Sequence, residues 1–311
     1  MYTQAVPHPI ISTLPIDKDQ VTVVVPVKDE ELAISQVIDE LTAEGYNNLL
    51  VVDGYSADHT PQIIQNKLGV TFIQQHGKGK TGAIKTAIEH INTPYLVIID
   101  GDCTYQAMDI QRLLKHCRNY AQVIGVRDRQ NISQIHRLGN WVITKSFNLL
   151  MGTHLSDICS GMYLLKTDVA KNLELGSRSF STEVEIAAQT VAEHEVTEVP
   201  ISYRKRVGKG KLSWRNGFGI LSSVFKLARK YNPVLLFSAA SMLAIIPATG
   251  LLVWVLYRQI AFGIWHSGWA LMGVMLLLFA SQALAIASMV LVLKRTEKRL
   301  IQRIDRAQRY A

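Results

Sequence analysis

Asp100 and Asp102 stand one residue apart where an apolar run ends, in the stretch YLVIIDGDCTY from Tyr95 to Tyr105. Side chains at i and i+2 of a strand share a face. Where the strand frays, the two carboxylates can therefore converge on one hard divalent cation such as Mg²⁺ or Mn²⁺. Carboxylates beside apolar neighbours are costly unless paired, so a positive charge should lie close by. Asp-Gly-Asp is also ordinary turn chemistry, and taken alone the motif fits a plain turn equally well.

The elements that carry these residues favour the first reading. VTVVVPV (21–27), LLVVDG (49–54) and VTFIQ (70–74) are β-branched or apolar runs of the kind buried on both faces of a parallel sheet. Between them, Leu32, Val37, Ile38 and Leu41 mark a helix over 30–44, and Pro61 opens a short helix with Thr60 as its N-cap. Glycines in HGKGKTGAIKTAIEHI give way to a third helix. Alternating strands and helices specify an open α/β sheet with right-handed crossovers, whose ligands bind at the carboxyl ends of the strands. Polar residues gather at those ends: Asp29 and Glu30, Asp53 to Asp58, Gly77 to Lys80, then Asp100 and Asp102. Four such coincidences outweigh a turn. Further on, the pattern predicts a helix over 108–118, a strand over 121–127 and an amphipathic stretch over 133–151. A strand in DICSGMYLLK, a helix over 182–194 and a last strand in VTEVPISYRKR follow.

The apolar fraction of 48% has a local cause. No charged residue interrupts 231–257 or 267–293, apolar runs long enough to cross a bilayer, with Trp254 and Trp269 near their ends. Lys226, Arg229 and Lys230 precede the first run; Lys294, Arg295, Lys298 and Arg299 follow the second. The positive-inside rule then places the catalytic domain and both termini in the cytoplasm of an integral membrane protein. Much of the net charge of +8 lies beside these runs, which points to membrane lipids rather than nucleic acid. The first twenty residues lack the pattern of a signal peptide, and Cys103, Cys117 and Cys159 read as reduced thiols. Small residues around Ala280, Ala283 and Ala287 suit packing of the spans against each other or against a neighbour in a homo-oligomer. The expected organisation is an arm (1–19), an α/β domain (20–213), an amphipathic juxtamembrane helix (214–230), two spans within 231–293 and a basic cytoplasmic tail (294–311).

A divalent cation on two carboxylates keeps its other positions for water and phosphate oxygens, so a nucleoside diphosphate fits the vacancy and its leaving group is stabilised. GKGKTG is too short for a P-loop; Lys78 or Lys80 could touch phosphate, and a solvated turn is an equal alternative.

VVVPVKDEE, VVDGYSADHT, GKGKTGA, DGDCTY, VIGVR, RLGN and DICSGMYLL follow the order seen in GT-A-fold inverting glycosyltransferases. Over about 21–212 the chain resembles the dolichyl- and polyprenyl-phosphate hexose synthases, of which dolichyl-phosphate mannose synthase is the familiar member. The resemblance implies transfer of a hexose from a GDP- or UDP-sugar to polyprenyl or dolichyl phosphate, with Mg²⁺ or Mn²⁺ held by Asp100 and Asp102. It places Pro26, Asp29, Glu30 and Asp53 around the nucleotide, Asp53 towards the base, with Lys80 also on the donor. Arg127 and Arg137 would take the acceptor phosphate, and Asp157, Ser160 and Gly161 would lie near the sugar. Glu183 and Glu185 form an acidic pair, and Tyr203, Arg204, Arg206 and Lys211 a basic flap over the diphosphate. The glutamine that the dolichyl enzymes often carry at the place of Thr104 is absent. A phosphate monoester, with a second pKa of about 6, is already an anionic nucleophile, which matches the scarcity of His–carboxylate pairs: His136 and His154 read as surface or packing residues. Transfer to a lipid hydroxyl would instead need a general base, and a non-catalytic membrane scaffold of the same fold is the remaining alternative.

Overall fold

The computed structural model describes residues 16–176, 182–208, 229 and 232–309. Two compact units emerge, one built from the N-terminal two thirds of the chain and one from the C-terminal helices. Residues 1–15 of the expected arm, the juxtamembrane helix over 214–230 except Arg229, and Lys211 lie outside the described residues; the end of the arm forms a short 3-10 turn at Lys18–Gln20.

The first unit is a seven-stranded sheet: β1 (Val21–Val27), β2 (Leu49–Asp53), β3 (Val70–Gln74), β4 (Tyr95–Ile98), β5 (Gln122–Arg127), β6 (Tyr163–Lys166) and β7 (Val196–Ile201), in the order β3-β2-β1-β4-β6-β5-β7. β1 runs parallel to β2 and β4, β2 to β3, and β5 to β7; β6 alone is antiparallel to its neighbours β4 and β5. The sheet is thus mostly parallel, as the unbroken apolar runs predict. Val21, Val23, Val24 and Val25 of β1 have no exposed surface, which only a strand covered on both faces can achieve.

Helices cover those faces. In α1 (Ile34–Ala43), Ile34, Val37, Ile38 and Leu41 are buried at helical spacing. Leu32, expected in this stripe, precedes the helix and is exposed. α2 (Thr60–Gln65) has Pro61 in its first turn; His59 occupies the N-cap, and the Thr60 hydroxyl instead accepts the Glu30 N–H at 2.8 Å. α3 (Gly79–His90), α4 (Ile110–Leu114), α5 (Gln134–Met151), α6 (Thr167–Lys171) and α7 (Thr182–Glu193) complete the unit. The chain leaves the sheet after Ile201, so SYRKR lies beyond the last strand.

The second unit contains α8 (Pro233–Phe262) and α9 (Ser267–Arg309). Pro233–Phe262 and Ser267–Leu293 are long and apolar enough to cross a membrane. α8 starts at Asn232, whose side chain accepts the Leu235 N–H, and ends at Gly263 in a left-handed conformation (φ 66°). Ala280, Ala283 and Ala287 are buried, and the Ser241 hydroxyl donates to the Ala280 carbonyl at 2.8 Å, so this small-residue stripe is covered by α8 of the same chain. α9 continues as a helix through the basic segment after residue 293.

Candidate functional site

Loops at the carboxyl ends of β1, β2 and β4 meet at one edge of the first unit. After β1, Asp29 adopts a left-handed conformation (φ 50°). Its N–H donates to Ser56 Oγ at 2.8 Å, and its Oδ1 accepts the Ala57 N–H at 2.7 Å. Glu31 pairs in the same way with the 58–59 segment: its N–H donates to Asp58 Oδ2 at 3.1 Å, while its Oε2 accepts the His59 N–H at 3.0 Å. The β1–α1 and β2–α2 loops are therefore one stitched surface.

Asp53, in register with Val27, is wholly buried, and its carboxylate accepts from the Ser56 hydroxyl at 2.5 Å and the Ser56 N–H at 3.1 Å. Asp53 thus shapes the loop that borders the site. Pro26 is half-buried on β1 opposite Val52.

Asp100 and Asp102 follow β4, and each is met by a cation from a distant element. Lys80, in the first turn of α3, bonds Asp100 Oδ1 and lies 2.5 Å from Glu183 Oε1 at the start of α7. Burial pushes the Asp100 carboxyl up to about 6, with Asp102 and Glu183 adding to the rise and Lys80 opposing it. For Glu183, burial also favours the neutral acid, but Lys80 prevails and holds its carboxyl below the usual range. Lys80 in turn overcomes its own desolvation through Asp100 and Glu183 and stays cationic well beyond neutral pH. A contact between the Thr81 and Thr182 hydroxyls at 2.8 Å fixes α3 against α7.

Asp102 is 7% exposed. Its Oδ1 accepts the Thr104 hydroxyl at 2.5 Å and the Thr104 N–H at 3.2 Å, and its Oδ2 lies 3.0 Å from Arg206 Nη1. Arg206 Nη2 also bonds Glu30 Oε1. The segment carrying Arg206 runs along the Asp102 loop, where the Arg204 N–H donates to the Thr104 carbonyl at 2.7 Å and the Val207 N–H to the Asp102 carbonyl at 3.3 Å. Arg204 pairs with Glu40 of α1 at 2.6 Å. Of the expected basic flap, Arg206 pairs with Asp102, Arg204 sends its side chain to Glu40, and Tyr203 meets Tyr105.

Arg127 ends β5, and its fork closes on Asp157 through Nε–Oδ2 at 2.7 Å and Nη2–Oδ1 at 2.8 Å. Both side chains are about nine-tenths buried, so Arg127 chiefly pins the loop that carries Asp157. Its guanidinium also lies over the ring of Tyr203, 5.4 Å from the centroid. Arg137 is exposed on α5, where it donates to the Ile132 carbonyl at 3.4 Å. Ser160 is buried and donates to the Met162 carbonyl at 3.4 Å. Glu185 accepts the Gly176 N–H at 3.1 Å, so the acidic pair divides: Glu183 faces Lys80, and Glu185 holds Gly176.

Tyr105 and Tyr163 escape sequence reasoning. Gly161 lies against Asp100 and donates its N–H to the Tyr105 hydroxyl at 2.6 Å. Tyr105 meets Tyr203 edge-on at 5.3 Å. Tyr163 of β6 is 1% exposed, and its hydroxyl has no hydrogen-bond partner. Aromatic residues beside apolar runs read as core, so only the fold reveals Tyr105 and Tyr163 as neighbours of the charged cluster.

Among the described residues no group of three or more His, Cys, Asp or Glu side chains is placed to hold a metal ion. Asp100 and Asp102 offer the hard oxygen pair that suits a divalent cation completing its shell with phosphate oxygens or water.

The mostly parallel sheet with paired acids after β4 is a GT-A-like fold. Residues 22–173 match the family described as Glycosyl transferase family 2. The chain carries a glycosyl transferase family 2 domain and is a glycosyltransferase. It is 28% identical over 300 residues to "Glycosyltransferase AglJ" of Haloferax volcanii, covering 92% of this chain and 99% of that protein. That likeness extends beyond the family 2 domain into the C-terminal helices. It is 27% identical over 217 residues to a "Dolichyl-phosphate hexose transferase" of the same organism, covering 67% of this chain and 94% of that one. Among solved structures, the fold matches glucosyl-3-phosphoglycerate synthase from Mycobacterium tuberculosis in complex with Mn²⁺, UDP-glucose and phosphoglyceric acid. The TM-score is 0.57 at 17% identity, covering 73% of this chain and 86% of that one.

Proposed function

We propose that the protein is a membrane-bound, inverting glycosyltransferase that moves a hexose from a nucleoside-diphosphate sugar to polyprenyl or dolichyl phosphate. The reaction takes place at the cytoplasmic face. The observation that carries this reading is the convergence of Asp100 and Asp102 with Lys80 and Arg206 at the carboxyl edge of the parallel strands. Relatives support it: one is named a dolichyl-phosphate hexose transferase, and a fold neighbour was solved with Mn²⁺ and UDP-glucose.

The sugar nucleotide lies over the stitched loops of β1 and β2, with Asp29 and Glu30 at its rim. Asp100 and Asp102 hold Mg²⁺ or Mn²⁺, which supplies Lewis-acid stabilisation of the leaving diphosphate. Arg206 and Lys80 are within reach of the same acids and offer the diphosphate its counter-charge. Arg204 and Tyr203 hold the segment that bears Arg206, while the Arg127–Asp157 pair fixes the loop leading to Ser160 and Gly161. Because the acceptor phosphate is anionic near neutral pH, the protein needs cations to orient it rather than a base, and Arg137 on the exposed side of α5 takes that part. The apolar helices α8 and α9 keep the domain beside its lipid acceptor.

The test is transfer itself. Full-length protein in detergent, given radiolabelled UDP- and GDP-hexoses with polyprenyl phosphate, should yield organic-extractable label only when Mg²⁺ or Mn²⁺ is present. Absence of product with every common donor, or undiminished transfer by Asp102→Ala, would overturn the proposal. Product formed on a lipid hydroxyl in place of the phosphate would redirect it.

A further inference from the structure

Both aspartates already have cationic partners. Lys80 covers Asp100 and Arg206 covers Asp102, where Oδ1 is occupied by Thr104 and Oδ2 by the guanidinium at 3.0 Å. A cation approaching Asp102 Oδ2 competes with Arg206 for that oxygen. Arg206 meanwhile has a strained set of partners: Nη1 and Nη2 bridge Asp102 and Glu30, but its buried Nε has no hydrogen-bond partner. A buried donor left unpaired is a penalty that an incoming oxygen acceptor relieves.

The ion pairs give the same result. Arg206 bridges Asp102 and Glu30, and Lys80 bridges Asp100 and Glu183. A divalent ion arriving alone displaces a half-buried guanidinium from its carboxylate with nothing to receive it. When a diphosphate arrives with it, the ion takes the aspartates and the guanidinium turns to phosphate.

We propose that Arg206 is an exchangeable counter-ion: it holds Asp102 while the site is empty and passes to the donor diphosphate as the divalent ion takes its place. Metal and nucleotide then bind as a coupled pair. The proposal rests on the assignment of Asp100 and Asp102 as the metal ligands of a sugar-nucleotide site. Arg206 is a positioning residue for that ion, and the coupling is reciprocal by linkage.

Mn²⁺ binding to the full-length protein in detergent, followed by electron paramagnetic resonance, tests this without turnover. Wild type should bind Mn²⁺ about tenfold or more tighter when UDP or GDP is present than when neither is. Arg206→Gln should bind Mn²⁺ alone about tenfold tighter than wild type and gain little more from nucleotide. Arg204→Gln removes the same charge from the same segment but leaves Asp102 covered, so it should stay within about twofold of wild type. Arg206→Gln matching wild type in the absence of nucleotide would overturn the exchange, as would equal gains from Arg204→Gln and Arg206→Gln. Should Arg206→Gln fail to fold, the wild-type titration decides, since Mn²⁺ affinity indifferent to both nucleotides excludes coupling. Wild type that binds no Mn²⁺ under any condition removes the metal assignment itself, and the proposal with it.

Discussion

A Cβ placed on Gly161 would lie 2.0 Å from Oδ2 of Asp100. Glycine is required here for room rather than for backbone freedom, because its absent side chain is the space into which the Asp100 carboxylate fits. Gly161→Ala should leave the fold intact, as the residue lies outside the positive-φ set, yet push Asp100 off position. A displacement of that order costs about a hundredfold in rate, so kcat/KM should fall by that factor while the circular dichroism spectrum stays unchanged. Retained activity would mean that Asp100 needs no fixed position.

The Arg127–Asp157 pair is buried on both sides and bidentate. Removing one partner strands a charge, which costs about 3–5 kcal/mol. Asp157→Leu should therefore lower the unfolding free energy of the first unit by that amount in a denaturant titration. Replacing both residues by apolar ones should recover much of the loss. If Asp157→Leu leaves stability unchanged and only raises KM, the pair serves the ligand instead.

Burial pushes the Cys103 thiol up to about 11 and the Cys159 thiol up to about 12, with Asp102 adding to the first and Asp157 to the second. The thiolate is the reactive form. In native protein, alkylation of both residues by iodoacetamide should be negligible at pH 7.5 and rise about tenfold per pH unit towards pH 10. Peptide mass spectrometry after timed quenching reads this directly, and fast labelling at neutral pH would show an open environment.

Gly273 of α9 faces Leu252 of α8, and an added Cβ would approach the leucine side chain to 2.8 Å. Gly273→Leu forces the two helices apart at that level, an overpacking cost of about 1–3 kcal/mol. In a background with Ser241→Cys and Ala280→Cys, which replaces a 2.8 Å hydrogen-bonded contact, oxidative cross-linking should fall when Gly273→Leu is added. Equal cross-linking would show that the helix pair absorbs the bulk elsewhere.

The sheet was readable from sequence because its strands are unbroken apolar runs, and β1, β2 and β3 fall where those runs predict. Asp100 and Asp102 stood out because strand periodicity would put them on one face; β4 ends at Ile98, and both lie in the loop after it. What periodicity cannot convey is which distant cation answers which acid. Arg206 reaches Glu30 from 176 residues away, and nothing near either residue marks the pairing. For Asp53, the Ser56 bonds that hold its carboxylate depend on loop geometry with no simple pattern in the sequence. Arg127 was legible as a phosphate-binding residue type, and only the fold shows that Asp157 takes its fork.

That same 176-residue separation has a consequence for biosynthesis. A ribosome adds about 5–20 residues per second, so Glu30 waits roughly 10–35 s for the guanidinium that will neutralise it. β1 to β4 are complete long before β6 is made, and until then the edge of β4 that β6 will cover is open. Arg206 in turn precedes α8 in the chain, so the last ion pair of the acid cluster becomes available before either apolar helix has been synthesised. We therefore expect the nascent catalytic unit to be most exposed to misfolding and proteolysis between the synthesis of β4 and β6, a window set by the order of residues along the chain.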